Sequence, residues 1–298
     1  MESFEKIIIE GLKNILTGAE VSIKHFDKLD QKGCTAVTIR ENDMNIAPLI
    51  YLDFYYNEWM HGKEISDICT EIVNVYNENR ILKNINVSEL FDYERVISRI
   101  CFKMVNYEFN KKVLADVPHI KFGDMAIVFF IRLNDFASVL IRNTLLNMWD
   151  IDKTELLLKA KHNTPKIYKE SFMSIMDVMK ELVTNVNSTS GMHTVPYAIL
   201  NMDMQLYVLT NNEKTNGAVT MFYDGLLENI GKKLESDFYI IPSSVHEVLI
   251  LPAINRAELE VEKLKEIVSE VNDTIVSEED ILSYDVFYYS REAKRIIV

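Results

Sequence analysis

Pro242-Ser243-Ser244-Val245-His246-Glu247 is the densest cluster of reactive side-chain types in the 298 residues. A serine hydroxyl becomes a nucleophile when an imidazole within hydrogen-bond reach takes its proton and a carboxylate orients that imidazole. Ser244, His246 and Glu247 supply those three types. The chemistry they spell is a hydrolase with His246 as base, Glu247 assisting, and Ser244 or a metal-bound water as nucleophile. Their spacing opposes building such a site locally. On a strand Ser244 and His246 share a face, and Glu247 points to the other. Pro-Ser-Ser is also a natural turn whose hydroxyls satisfy free backbone amides. The hexapeptide is therefore read first as a turn between strands and second as a catalytic candidate.

A metal held by His246 and Glu247 needs further ligands, and His119 or His193 would have to supply one. The three cysteines, at 34, 69 and 101, fit neither a zinc spacing nor a disulfide framework, and read as reduced, buried thiols. None of the nine glycines stands in GxGxxG, GxxxxGK[ST] or GxSxG, and HExxH is absent. That excludes the Rossmann fingerprint, the P-loop, the nucleophile elbow and the zincin helix as sequence signatures. No metal and no cofactor is expected.

Other candidates suit binding more than bond breaking. The aromatic run at 51–59 offers Asp53, Tyr55 and Trp59 for a ligand groove, against the alternative of aromatics packed across a sheet. His119 follows a Val-Pro link. Arg142 and Asn143 stand where an apolar strand gives way to a helix, and Asn143 doubles as a candidate N-cap.

The elements that position these residues read from periodicity. Phe4, Ile7, Ile8, Leu12 and Ile15 mark an amphipathic helix over 3–17. A hairpin (21–26 and 35–40) and a strand over 49–55 follow, then a helix over 64–79 with Ile65, Ile68, Cys69, Ile72, Val73 and Tyr76 on one face. A helical turn at 87–91 and a strand at 98–106 come next, then a helical stretch stopped by Pro118. Residues 126–133 and 136–141 flank Asn134-Asp135 as a hairpin. Asp152 and Glu155 resemble a capping box opening a helix that runs to His162, with Pro165 preventing its continuation. Phe172 to Val183 reads as a helix and 185–196 as a loop. Asn216-Gly217 sets a hairpin over 206–222, a helix (224–234) follows, and two strands (237–242, 246–251) flank the hexapeptide. The two hairpin–helix orders hint at a duplicated sheet. Asn255 caps a helix whose Ala257, Val261, Leu264, Val268, Val271 and Ile275 form an apolar seam, and a hairpin over 286–298 closes the chain. The fold class is α+β, in two domains, 1–116 and 117–298, each a mainly antiparallel sheet flanked by amphipathic helices.

Several segments in combination carry a resemblance: IYLDFYYNEWMHGKEISDI (50–68), VNYEFNKKVLADVPHIKFGDMAIVF (105–129), VLIRNTLLNMWDI (139–151), KAKHNTP (159–165), LYVLTN (206–211) and SDFYIIPSSVHEVLILPA (236–253). With them the chain resembles an uncharacterised bacterial family, the domain of unknown function numbered 5688. The resemblance implies an origin among mobile elements and gut Gram-positive genomes, and attaches no reaction.

The formal net charge is −13 and the pI near 5.0. Residues 257–298 alone hold eleven Asp/Glu against five Lys/Arg. This balance disfavours nucleic acid and anionic membrane as partners. The N-terminal twenty residues lack a signal-peptide pattern, and the longest apolar run, 125–131, is too short to span a bilayer. A soluble, cytoplasmic, protein-binding or regulatory protein is expected rather than an enzyme. The hydrolase, or an acidic inhibitor of a nucleic-acid enzyme, is the alternative.

Overall fold

Phe4, Ile8 and Leu12 recur every four residues, so helix α1 (Glu2–Ile15) puts all three on one fully buried face. The computed structural model describes residues 1–29, 31–41, 49–78, 87–134, 138–184, 205–253, 261–274 and 276–297. Expectations for Asp135, His193, the 185–196 loop, Asn255, Ala257 and Ile275 lie outside the described residues. The chain divides into two compact units, Met1–Tyr93 and Glu94–Val298. All strand pairings among the described residues are antiparallel, and the fold class is α+β.

In the first unit, strands β1 (Glu20–Lys28) and β2 (Gln31–Arg40) pair with Val21 opposite Ile39 and Ile23 opposite Val37. Strand β3 (Leu49–Tyr51) adds to β2. The expected strand over 49–55 stops there, because Asp53–Met60 is helix α2. Leu52, Tyr55, Tyr56 and Trp59 fall at i, i+3, i+4 and i+7, a helical stripe that the β-favouring aromatic composition masks. Tyr56 and Trp59 pack around Phe4, with ring centroids 5.5 and 5.3 Å away. Helix α3 (Ile65–Glu78) buries Ile68, Cys69, Ile72 and Tyr76 as its period requires. A Cβ on Gly11 would lie 2.6 Å from the Cys69 sulfur, so glycine permits the close approach of α1 and α3. The short helix α4 (Val87–Leu90) follows.

The second unit begins within helix α5 (Tyr93–Val96), then a 3₁₀ turn (Ile97–Arg99) and strand β4 (Ile100–Asn106). Asn106 caps helix α6 (Tyr107–Leu114), its side chain accepting from Phe109 N at 3.0 Å. Strands β5 (His119–Phe122), β6 (Met125–Arg132) and β7 (Ser138–Leu140) complete a four-stranded sheet. β6 is its centre, buried from Met125 to Ile131, with β4 along one edge and β5 and β7 sharing the other. A division at residue 116 would part β4 from β6 across seven paired positions.

After helix α7 (Asn143–Trp149) comes helix α8 (Lys153–Ile167), capped by the Asp152 side chain on the amides of Thr154 and Glu155. Pro165 lies inside α8 instead of ending it. In the last turn it forfeits one backbone hydrogen bond, and the two residues before it are anchored from outside the helix. Asn163 Nδ2 donates to the carbonyls of Ile97 and Ile100 at 2.8 and 3.0 Å, and Thr164 Oγ1 accepts from Phe102 N at 3.2 Å. Two side chains of KAKHNTP thereby satisfy backbone groups of β4 and the turn before it.

Strand β8 (Glu170–Ser174) takes Phe172, which the sequence reading assigned to a helix, and helix α9 (Ile175–Thr184) follows. Strand β9 (Tyr207–Asn211) leads into a 3₁₀ helix (Gly217–Phe222), so the expected 206–222 hairpin, and the duplication built on it, are absent. Helix α10 (Leu226–Leu234) and strands β10 (Phe238–Ile241) and β11 (Val248–Pro252) agree with expectation. Helix α11 (Val261–Thr274) buries its seam: Leu264 and Val268 pack with Tyr239, Ile241, Leu249 and Leu251. Strands β12 (Phe287–Ser290) and β13 (Arg295–Ile297) close a six-stranded sheet of order β13-β12-β10-β11-β9-β8.

Candidate functional site

Residues 242–247 form a loop between β10 and β11, not an extended strand turn. The alternation expected of Ser244, His246 and Glu247 therefore does not apply. Ser244 is buried, and its Oγ accepts the backbone N–H of His246 at 3.0 Å. Ser243 Oγ donates to the Glu247 carbonyl at 3.3 Å. Both hydroxyls thus meet the backbone of their own loop.

The His246 ring is engaged at both nitrogens. Nδ1 accepts the Asn216 N–H at 3.2 Å, so the proton of the neutral ring sits on Nε2, which faces Asp280 Oδ1 at 3.1 Å. Asp280 is fixed in turn by Ser277 Oγ at 2.6 Å and receives Val245 N on its carbonyl at 2.9 Å. Thr210 Oγ1 donates to the His246 carbonyl at 2.7 Å, and Ala218 N to that of Val245 at 3.2 Å. The loop is a clasp joining β9, the 3₁₀ helix and the 277–280 turn. Serine and imidazole meet here through a main-chain N–H rather than through the ring.

Glu247 is buried, and its carboxyl is pushed up to about 7, first by burial and further by the Asp280 carboxylate, with the Ser243 hydroxyl opposing.

The structure scatters the other sequence candidates. Asp53, in the first turn of α2, has its Oδ2 buried with no hydrogen-bond partner among the described residues. Tyr55 is buried, its phenol raised chiefly by burial and further by Glu71, and Trp59 is core packing on Phe4. His119 Nδ1 bonds the Val117 carbonyl at 2.8 Å, and its ring lies 5.8 Å from that of Tyr107. Arg142 is the N-cap residue of α7 and forms an exposed ion pair with Asp116 at 2.7 Å. Asn143 is the first helical residue rather than the cap, its amide donating to the Ala115 carbonyl at 3.4 Å.

A cleft of about 570 Å³ has Asn216 in its lining. Its apolar lining is Phe102, Phe130 and Val219, and Lys103, Arg132 and Glu213 bring charge into it. The Tyr168 ring stands 6.5 Å from that of Phe130, with the Arg132 guanidinium 6.0 Å from its centroid. The phenol is raised, chiefly by burial, with Arg132 pulling the other way. Asn211 shapes the wall: its Oδ1 accepts from Glu213 N at 3.0 Å and its Nδ2 donates to the Thr215 carbonyl at 2.8 Å. Cys101, one strand position from the lining, is fully buried, its thiol pushed up to about 11 by burial, and is therefore unreactive.

None of these lining residues was among the sequence candidates. The available signal was a lone cation in an apolar strand: Lys103 in ICFKMVN and Arg132 at the end of MAIVFFIR. Among the described residues no group of His, Cys, Asp or Glu is arranged to hold a metal ion. Among them also no helix is long and apolar enough to cross a membrane.

A model of a family described as a family of unknown function (DUF5688) matches residues 1–291. No curated protein and no solved structure matches the chain.

Proposed function

The chain belongs to the DUF5688 family of unknown function, and from its own geometry we propose a protein-binding, regulatory protein that seats a carboxylate-bearing segment of its partner in the cleft. One observation carries this reading. In a chain of net charge −13, the described lining of the cleft, from β4, β6 and residues 211–219, presents two cations, Lys103 and Arg132, beside one carboxylate, Glu213. Lys103 is the one incompletely buried residue of β4. A guanidinium backed by an aromatic ring is the side chain best suited to bind a carboxylate through two parallel hydrogen bonds. The volume falls within the range of ligand sites, and the aromatic floor supplies apolar contact around the charged end. Binding, rather than hydrolysis, is favoured because His246 spends both ring nitrogens on the clasp. The burial of Cys34, Cys69 and Cys101, whose spacing fits no disulfide framework, supports a cytoplasmic location.

The test is quantitative affinity purification from native lysate with wild type, Arg132→Glu and, as a surface control, Lys153→Glu. A partner held by wild type and by the control, and depleted about ten-fold or more by Arg132→Glu, is expected. A chain that stays alone, or a partner indifferent to Arg132→Glu, refutes the reading.

A further inference from the structure

We infer that His246 is a positioning residue of the cleft: its neutral ring holds the Asn216 wall in place, and protonation of the ring releases that wall. The inference rests on the cleft being the binding site, but its mechanical step does not require a ligand. Nδ1 needs a free lone pair to accept the Asn216 N–H at 3.2 Å. A proton there sets two N–H groups head to head, and the bond is lost. The ring cannot simply turn to escape, because Nε2 is tied to Asp280 and Asp280 to Ser277.

The released wall is conformationally loaded. Asn216 holds φ +51° and ψ 29°, in the left-handed region. That conformation is admissible for asparagine but carries a cost for any residue other than glycine. A Cβ on Gly217 beside it would collide with Thr210 Oγ1 and the His246 carbonyl, so only glycine fits there. Loss of the Nδ1 bond removes a fixed point from a segment that supplies Glu213, Thr215 and Asn216 to the cleft. The charged groups on the segments packed about the ring are Glu278, Glu279 and Asp280 from the 277–280 turn, Glu247 from the same loop, and Glu213 and Lys214 from the 211–216 turn. Asp280 and Glu247, when ionised, both favour the imidazolium. Acidification that protonates the ring therefore frees the wall, and partner affinity falls with it.

The test is amide hydrogen exchange of the free protein at about pH 8 and about pH 5, corrected for intrinsic rates, on wild type and His246→Asn. The asparagine oxygen can accept the Asn216 N–H without titrating. Wild type should lose about ten-fold in protection at Asn216 between the two pH values, and His246→Asn should stay level. Unchanged protection in wild type, or an equal loss in His246→Asn, overturns the inference. Should the variant fail to fold, as the amides of β10 and β11 will report, the wild-type imidazole is titrated by NMR. Its midpoint must coincide with the loss at Asn216, and separate midpoints also overturn the inference. Because no ligand enters this experiment, a failure of the proposed binding function leaves its result readable.

Discussion

Replacing Glu247 with glutamine should make the protein more stable at neutral pH, and by an amount set by one buried carboxyl. Glu247 is 9% exposed, and its carboxyl is raised from 4.5 to about 7, chiefly by desolvation. A folded-state value above the unfolded one means that the native state holds the proton more tightly. The stabilisation linked to that proton is therefore fully present below about 4.5 and is lost as pH rises to about 7. Across that window the loss amounts to about 3 kcal/mol. Glutamine keeps the shape and carries no charge at any pH, so the difference between the two proteins isolates this one group. Near pH 4.5 wild type and Glu247→Gln should unfold at similar urea concentrations. At pH 8 the variant should be ahead by about 3 kcal/mol, with an unchanged denaturant slope. The assay is urea unfolding followed at the β10 and β11 amides by pulsed hydrogen exchange. A difference that stays flat with pH, or a variant weaker than wild type at pH 8, refutes the claim that burial raises the Glu247 carboxyl in the folded state. Asp280→Asn should reduce the pH dependence of wild type, since the Asp280 carboxylate adds to the shift.

Gly217→Ala brings a Cβ within 2.5 Å of the His246 carbonyl and 2.8 Å of Asn211 N, both main chain, as well as 2.1 Å from Thr210 Oγ1. It should cost about 3 kcal/mol in denaturant unfolding, because backbone cannot step aside. Thr164→Val keeps the volume but leaves the buried Phe102 N–H without its acceptor, and should lower stability by about 2 kcal/mol. Arg142→Ala, which removes only an exposed ion pair to Asp116, should change stability by less than about 0.5 kcal/mol in the same assay.

Much of the architecture was legible where one period dominated. The buried stripes of α1 and α3 follow directly from Phe4-Ile8-Leu12 and Ile68-Cys69-Ile72-Tyr76. Where two signals competed, the weaker-looking one prevailed. Aromatic composition pointed 49–55 toward a strand, while the spacing of Leu52, Tyr55 and Trp59 made a helix from Asp53. Asn216-Gly217 carried a hairpin signature, yet its glycine serves a close approach to β9 and the 3₁₀ helix packs there. The hexapeptide was correctly located between two strands. What local spacing could not contain was Asp280, 34 residues further on, or the Asn216 amide, 30 residues before, which together decide the state of His246. The cleft was hidden for the same reason. Its lining is gathered from residues 102 to 219, and only tertiary pairing brings Lys103, Arg132 and Glu213 to one place.

The most direct measurement is site-specific photo-crosslinking in native lysate, with the photoreactive residue at Ser138, an exposed position of the cleft lining, and a control at exposed Thr274 on α11. If the cleft seats a partner segment, the Ser138 probe yields one dominant cross-linked protein that the Thr274 probe does not, and Arg132→Glu abolishes it. Cross-links from Thr274 but not Ser138, or none from either, would contradict the assignment of the cleft as the binding site.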